Sequence, residues 1–278
     1  MIPKWLHNKR IAVVDIETDP IPTTKIHMIG VGVLEIDSEG NSSYEPSKAF
    51  TCIYTPYSKG SLLESIALIN TCDYVAHHNG VGFDLPEIEK HLSTKITLPS
   101  LDTIILGKIM YSKDELFTID AKLNLPKDLW ASYSLKAFGM RLGGQGKIEF
   151  EDFENMTEDM AIYMNQDVDL TAELLLHLLQ QENFPLEEVV DIEHKAAAII
   201  AEQTKYGFYI DIEKARELNT ALLKEKGELA RELAEVFKPK WMKDGQPQVY
   251  KKKSIVRKYL PDNNYIPLLG TNNERVRP

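Results

Sequence analysis

The stretch Ile11-Ala12-Val13-Val14-Asp15-Ile16-Glu17-Thr18 constrains this chain more than any other. Apolar residues bounded by polar ones read as a strand, and strand alternation puts Asp15 and Glu17 on one face while Val14 and Ile16 point to the other. Two carboxylates held side by side raise each other's pKa unless a positive charge lies between them. A hard divalent cation with oxygen ligands supplies that charge. An edge strand with a solvated acidic face accounts for the same two residues, so the motif gains force only from what else the chain supplies.

The 278 residues suffice for one large domain, or for one domain and part of a second. No apolar run approaches the roughly 18 residues needed to cross a bilayer, and Met1 to Arg10 lacks the apolar middle of a signal peptide. The expected location is cytoplasmic, with no membrane association. Cys52 and Cys72 lie in apolar, strand-like surroundings without C-x-x-C spacing, which suits reduced core residues. The net charge of −10 is unevenly spread: Lys238 to Pro278 holds ten Lys or Arg against three Asp or Glu, a net of +7, and leaves −17 for residues 1–237. An acidic body with a basic tail permits a cation-filled acidic site beside a phosphate-binding segment. The tail has little apolar periodicity and is expected to be flexible.

Further strands are expected at Lys25 to Ile36 and Ala49 to Thr55, separated by the turn-rich Asp37 to Ser43, so that the first three strands form an antiparallel meander. Leu62 to Ile69 has helical spacing and Asp73 to His77 reads as a short strand. Strand–helix alternation after a meander implies a mixed α/β sheet with helices on its faces. In Asn79-Gly80-Val81-Gly82-Phe83-Asp84-Leu85-Pro86 the glycines allow a tight turn, and Pro86 suits the first turn of a helix to about Leu92. Asp84 there is either an N-cap or a ligand projecting over the sheet end. A helix from about Glu158 to Gln181 is capped by Thr157, and Tyr163 and Asp167 share one of its faces. Asp169, two residues on, points elsewhere and is set aside. His77 and His78 invite a zinc reading, but a carboxylate-dominated site favours Mg²⁺ or Mn²⁺, and they too are left out. Downstream, Ile192, Ala196, Ile199, Ile200 and Gln203 form a helical stripe, Gly207 suits the position after its end, and Asp211 caps a helix that carries Ala215, Leu218, Leu222, Leu229, Leu233 and Val236 and runs to about Phe237. These read as two packing helices without chemistry.

Asp15-x-Glu17-Thr18, Asn79-x-x-x-Phe83-Asp84 and Tyr163-x-x-x-Asp167, in this order, resemble the three motifs of the DEDDy 3′→5′ exonucleases, the proofreading class with a ribonuclease-H-like fold. Ser100-Leu101-Asp102-Thr103, Tyr133 to Gly143, and Glu193 to Gly207 with Phe208-x-Ile210-Asp211 are similar to connecting segments and to the exonuclease–thumb junction of family A DNA polymerases of the T7-like phage kind. The palm and fingers of that family have no counterpart in these residues. The resemblance therefore covers an exonuclease domain at 1–184 and a helical thumb-like segment at 185–278.

The resemblance implies a metal-dependent 3′→5′ exonuclease that releases 5′-mononucleotides from single-stranded or frayed DNA 3′ ends, the proofreading part of a replicative polymerase. Asp15, Glu17, Asp84 and Asp167 would hold two Mg²⁺ ions, with Mn²⁺ able to substitute. Tyr163, with an ordinary pKa near 10, would orient the attacking water. Thr18, Asn79 and Phe83 would contact the terminal nucleotide, although Phe83 suits a core position equally. The remaining polymerase domains or a processivity factor are the implied protein partners. Two other readings use the same residues: an RNA-trimming exonuclease of this fold, and a polymerase fragment that binds DNA or a partner without cutting.

Overall fold

The structure, a computed structural model, describes residues 1–144, 150–207 and 209–236. Five strands form one mixed sheet in the order β3-β2-β1-β4-β5. Strands β1 (Lys9–Thr18), β2 (Ile26–Ile36) and β3 (Ser42–Thr51) are antiparallel neighbours, and β4 (Tyr74–His77) and β5 (Ser100–Asp102) run parallel to β1. Helices α1 (Leu62–Ile69), α2 (Asp84–Leu92), α3 (Thr103–Met110), α4 (Lys113–Leu123), α5 (Leu135–Arg141) and α6 (Glu158–Leu179) follow, then α7 (Glu187–Tyr206) and α8 (Ile212–Val236). An antiparallel meander continued by parallel strands, with helices on both faces, is the ribonuclease-H-like α/β fold that the sequence implies.

The parity of β1 divides the core. Ile11 and Val13 pack with Leu106, Phe138, Val168, Ala172 and Leu175 on the side of α3, α5 and α6. Ala12, Val14 and Ile16 pack with Leu62, Ile66, Ile69 and Ile88 on the side of α1 and α2. Odd-numbered β1 residues therefore face α6, and Asp15 and Glu17 continue that row beyond the apolar core. The local start signals are conventional: Ser61 with Glu64 and Ser112 with Glu115 form capping boxes on α1 and α4, and Thr157 accepts from Met160 N on α6.

Three expectations need correction. Strand β3 begins at Ser42, inside the stretch read as a loop, and ends at Thr51. It is an edge strand whose first residues are solvated, so it lacks apolar alternation, and its Pro46 lies at the ladder irregularity opposite Val31 to Val33, where a missing N–H is tolerated. Cys52 is consequently exposed just past the strand, while Cys72 is buried as expected. In α7 the stripe Ile192, Ile199 and Ile200 faces solvent, and the buried residues are Val190 and His194.

The chain divides into two units between Tyr206 and Gly207. The sheet-bearing unit thus includes α7, past residue 184, where the exonuclease-like segment was expected to end. Gly207 has φ 72°, as a residue following a helix C-terminus favours, and Asp211 accepts from Lys214 N at the start of α8, which is amphipathic with Leu218, Leu222, Leu229 and Leu233 exposed. Phe208 and the basic tail from Lys238 to Pro278 lie outside the described residues. Among the described residues no helix is long and apolar enough to cross a membrane.

Candidate active site

Strand β1 delivers Asp15 and Glu17 to the face that α6 covers, and the ladder explains how closely α6 approaches. Gly30 of β2 lies opposite Asp15. A Cβ there would meet Val168 Cγ2 at 2.8 Å and the end of Met164 at 3.0 Å, so the absent side chain lets α6 sit directly on the sheet. Asp167, next to Val168, is thereby carried to the strand acids: one carboxylate oxygen each from Asp15, Glu17 and Asp167 lies within 4.8 Å of the others. Glu17 and Asp167 are buried, at 5% and 2% exposure, and Asp15 is half-buried.

Three carboxylates this close, two of them out of water, repel one another unless a cation or protons intervene. All the donors are hard oxygens, which suits Mg²⁺ or Mn²⁺ and disfavours zinc. The residues therefore fit a divalent ion.

Asp84 is not among the three acids whose oxygens meet. It is the first residue of α2 rather than its cap, which is Phe83, and it reaches β1 through the backbone: its Oδ1 accepts from Ile16 N at 3.1 Å, between Asp15 and Glu17. Burial pushes its carboxyl above the usual range, against the lowering effects of His77 and the N–H groups that it accepts from.

Tyr163, one turn before Asp167, is buried in an aromatic cluster. Its ring stacks on Phe150 at 5.4 Å between centroids and meets Phe153 edge-on at 6.1 Å. The segment carrying these phenylalanines is pinned to β2 by His27 Nε2 and Phe153 O, 3.1 Å apart. The sequence reading missed Phe150 and Phe153, because an irregular segment offers no periodicity from which to infer their contacts.

Of the expected substrate contacts, Thr18 is buried and donates its hydroxyl to Asp19 O at 2.9 Å, which leaves the oxygen's lone pairs to accept. Asn79 is exposed with φ 70°, a left-handed conformation that Asn tolerates. Phe83 is half-buried and packs against the apolar layer under α1 and α2. Asp169, set aside from sequence, anchors α6 to β3 instead, accepting from Tyr44 Oη at 2.6 Å and Ser47 N at 3.0 Å.

The turn that presents Asp84 is built from residues outside these motifs. Asp102, the last residue of β5 and the cap of α3, accepts from Asn79 N at 2.8 Å, Val81 N at 3.3 Å and Ile104 N at 3.0 Å. Its own N–H donates to His194 Nε2 on α7 at 2.7 Å. His77 Nδ1 lies 3.2 Å from Asp102 Oδ2, and its ring fills the space where a Gly80 side chain would sit, a Cβ meeting it at 2.5 Å. His77 is thus part of this support and not of the acidic cluster. Burial works to raise the Asp102 carboxyl, but the His77 contact and the backbone donors prevail and hold it at about 2.

No family model matches the chain. It is 30% identical over 238 residues to the DNA-directed DNA polymerase of Escherichia phage T7, covering 70% of this chain and 34% of that protein. Against the DNA-directed DNA polymerase of Enterobacteria phage T3 it is 29% identical over 261 residues, covering 74% and 37%. Among solved structures, the family B DNA polymerase of the hyperthermophilic archaeon Pyrobaculum calidifontis matches with a TM-score of 0.41 at 15% identity, over 69% of this chain and 29% of that one. The chain is therefore a relative of the DNA-directed DNA polymerases of the T7-like phages and spans about a third of their length.

Proposed function

We propose that this chain is a divalent-metal-dependent 3′→5′ exonuclease acting on DNA, the proofreading part of a replicative polymerase. The observation that carries the reading is the meeting of Asp15, Glu17 and Asp167 within 4.8 Å at the end of β1. Asp84, tied to Ile16 N between the two strand acids, supplies a fourth carboxylate at the same sheet end. Asp15, Glu17, Asp84 and Asp167 would hold two Mg²⁺ ions, which Mn²⁺ could replace. Metal bound there would lower the pKa of a water and stabilise the charge developing on the leaving 3′ oxygen.

The protein's own groups do the positioning. Tyr163, its ring packed on Phe150 and Phe153 one turn before Asp167, would orient the water, since a phenol is a poor base near neutral pH. Asn79, exposed at the turn before Asp84, offers an amide to sugar or phosphate, and the half-buried Phe83 borders the same turn. We place the exonuclease segment at 1–184 and read 185–278 as a thumb-like continuation, of which the sheet-bearing unit retains α7.

The test is an end-labelled single-stranded DNA incubated with the full chain in Mg²⁺, Mn²⁺ or EDTA, beside Asp15→Ala. Stepwise loss of 5′-mononucleotides from the 3′ end, abolished by EDTA and by the substitution, is the expected result. Cleavage that persists in Asp15→Ala would refute the assignment. Preference for an RNA oligonucleotide would favour the trimming reading, and binding without cleavage would leave a DNA-binding fragment.

A further inference from the structure

We infer that Asp102 and His194 are positioning residues for this site, Asp102 setting the turn that presents Asp84 and His194 tying that turn to the docking of α7. The role rests on the exonuclease reading above. Three observations carry it. Asp102 is 1% exposed and takes up the N–H groups of Asn79 and Val81, so the turn has its donors satisfied by one carboxylate from a neighbouring strand. The turn passes its geometry directly to α2, since Leu85 N donates to Gly80 O at 2.9 Å and Asp84 is the intervening helical residue. His194 is itself buried and oriented: its Nδ1 donates to Val190 O at 2.7 Å, which leaves Nε2 to accept from Asp102 N.

Thr103 closes the unit by donating to His77 O at 3.1 Å while lying 2.8 Å from His78 Nδ1. The ends of β4 and β5 and the start of α3 are thus joined to the turn by hydrogen bonds, and α7 is tied to them from outside the motifs. Removing the Asp102 carboxylate leaves these part-buried N–H groups without their acceptor in the turn that leads into Asp84. Removing the His194 ring frees Asp102 N and the α7 contact together.

The experiment uses the full chain as wild type, Asp102→Ala, Asp102→Asn, His194→Ala and His194→Gln. It measures amide exchange at Asn79 and Val81, Mn²⁺ binding by electron paramagnetic resonance, and kcat and KM on single-stranded DNA. Asp102→Ala should speed exchange at both amides by about tenfold or more and lower kcat and Mn²⁺ affinity by about 10–100-fold, the range typical of groups that orient metal ligands, with KM within about twofold. His194→Ala should do the same more weakly, and His194→Gln, which restores an acceptor, should recover most of the loss. Should Asp102→Ala fail to fold, Asp102→Asn and His194→Ala carry the test, since Asn keeps one oxygen for Asn79 N but turns a donor towards Val81 N. A wild type that cleaves while the folded variants keep its exchange, Mn²⁺ affinity and kcat would overturn the positioning role alone. A wild type that neither binds Mn²⁺ nor cleaves would overturn the exonuclease reading and the role with it.

Discussion

Gly30 and Val168 touch with no space for a side chain between them, and each is the neighbour of a site acid: Gly30 faces Asp15 across the ladder and Val168 follows Asp167. The separation of β1 and α6, and so the gap between the acids, depends on this contact. Gly30→Val should overpack the interface at a cost of about 1–3 kcal/mol and push α6 outward. Because displacing a reacting group by about 1 Å can cost on the order of 10²-fold in rate, cleavage should fall even at temperatures where the variant is fully folded. Thermal unfolding and initial rates on labelled single-stranded DNA check this, and a folded Gly30→Val at wild-type rate would show that the α6 spacing is immaterial.

Neutralising one acid should separate stability from activity. Asp167 is 2% exposed beside Glu17 at 5%, and mutual repulsion of the cluster opposes folding when no cation is present. Asp167→Asn keeps the volume and removes a charge, so in EDTA its Tm should equal or exceed that of wild type. Added Mn²⁺ should then raise the Tm of wild type and hardly that of the variant, since a ligand at 100 times its Kd stabilises by roughly 2.7 kcal/mol only where it binds. Differential scanning fluorimetry with and without Mn²⁺ reads both effects. A variant less stable than wild type in EDTA would mean that the Asp167 charge supports the fold.

Tyr163→Phe should slow turnover by about 10²–10³-fold, the usual effect of losing one positioning hydrogen bond, with metal binding and Tm little changed. The ring contacts with Phe150 and Phe153 survive the substitution, which is why the fold should tolerate it. Phe150→Ala should reproduce part of the loss without touching the hydroxyl. Wild-type turnover in Tyr163→Phe would reduce Tyr163 to a core residue.

The parts of this architecture that the sequence discloses are those set by local period. Alternation places Asp15 and Glu17 together, and the four-residue spacing places Tyr163 over Asp167, because each needs only the geometry of its own element. What stays hidden depends on partners far along the chain. Asp102 and His194 meet across 92 residues, and neither lies in a periodic context that marks it. Strand β3 is partly hidden because an edge strand is solvated where alternation would otherwise show. In α7 the apolar period is real, but it cannot say which face is covered: Ile199 is 67% exposed while His194, a polar residue on another face, is buried.

Buried ion pairing supplies a pH-dependent term well away from the acids. Arg141 grips Asp120 with Nε at 2.7 Å and Nη2 at 2.9 Å, and the carboxylate also accepts from Ala131 N at 2.7 Å. The side chains are 6% and 0% exposed. Burial alone would raise the Asp120 carboxyl, but the Arg141 and Ala131 hydrogen bonds outweigh it and hold it below the usual carboxylate range. A carboxyl depressed in the folded state stabilises fully above its unfolded pKa and loses that contribution as pH falls through the folded value, so this pair should weaken only below about pH 4. Asp120→Ala should cost about 3–5 kcal/mol at pH 7, because it strands a buried guanidinium, and less as the pH is lowered. Denaturant melts at several pH values check it, and a penalty that does not vary between pH 7 and pH 3 would contradict the ion-pair origin.

The charge asymmetry of the sequence supports a last prediction. Residues 238–278 carry a net charge of +7, while the residues before them carry −17 and hold every acid of the candidate site. A nucleic acid approaching the acidic unit is repelled at long range, and the basic segment is the part of the chain able to offset that repulsion. If about three of its cations contact single-strand phosphates, deleting it should reduce the magnitude of the log-log salt slope of DNA binding by roughly 2, at about 0.7 per contact. The rate at saturating DNA should barely change, because Asp15, Glu17, Asp84, Tyr163 and Asp167 all precede Leu179, the end of α6. Truncation after Phe237, with binding measured between about 50 and 200 mM salt and turnover measured at saturation, reads both quantities. An unchanged slope would remove the segment from DNA binding, and a collapse of the saturated rate would make it part of the structure that the site requires.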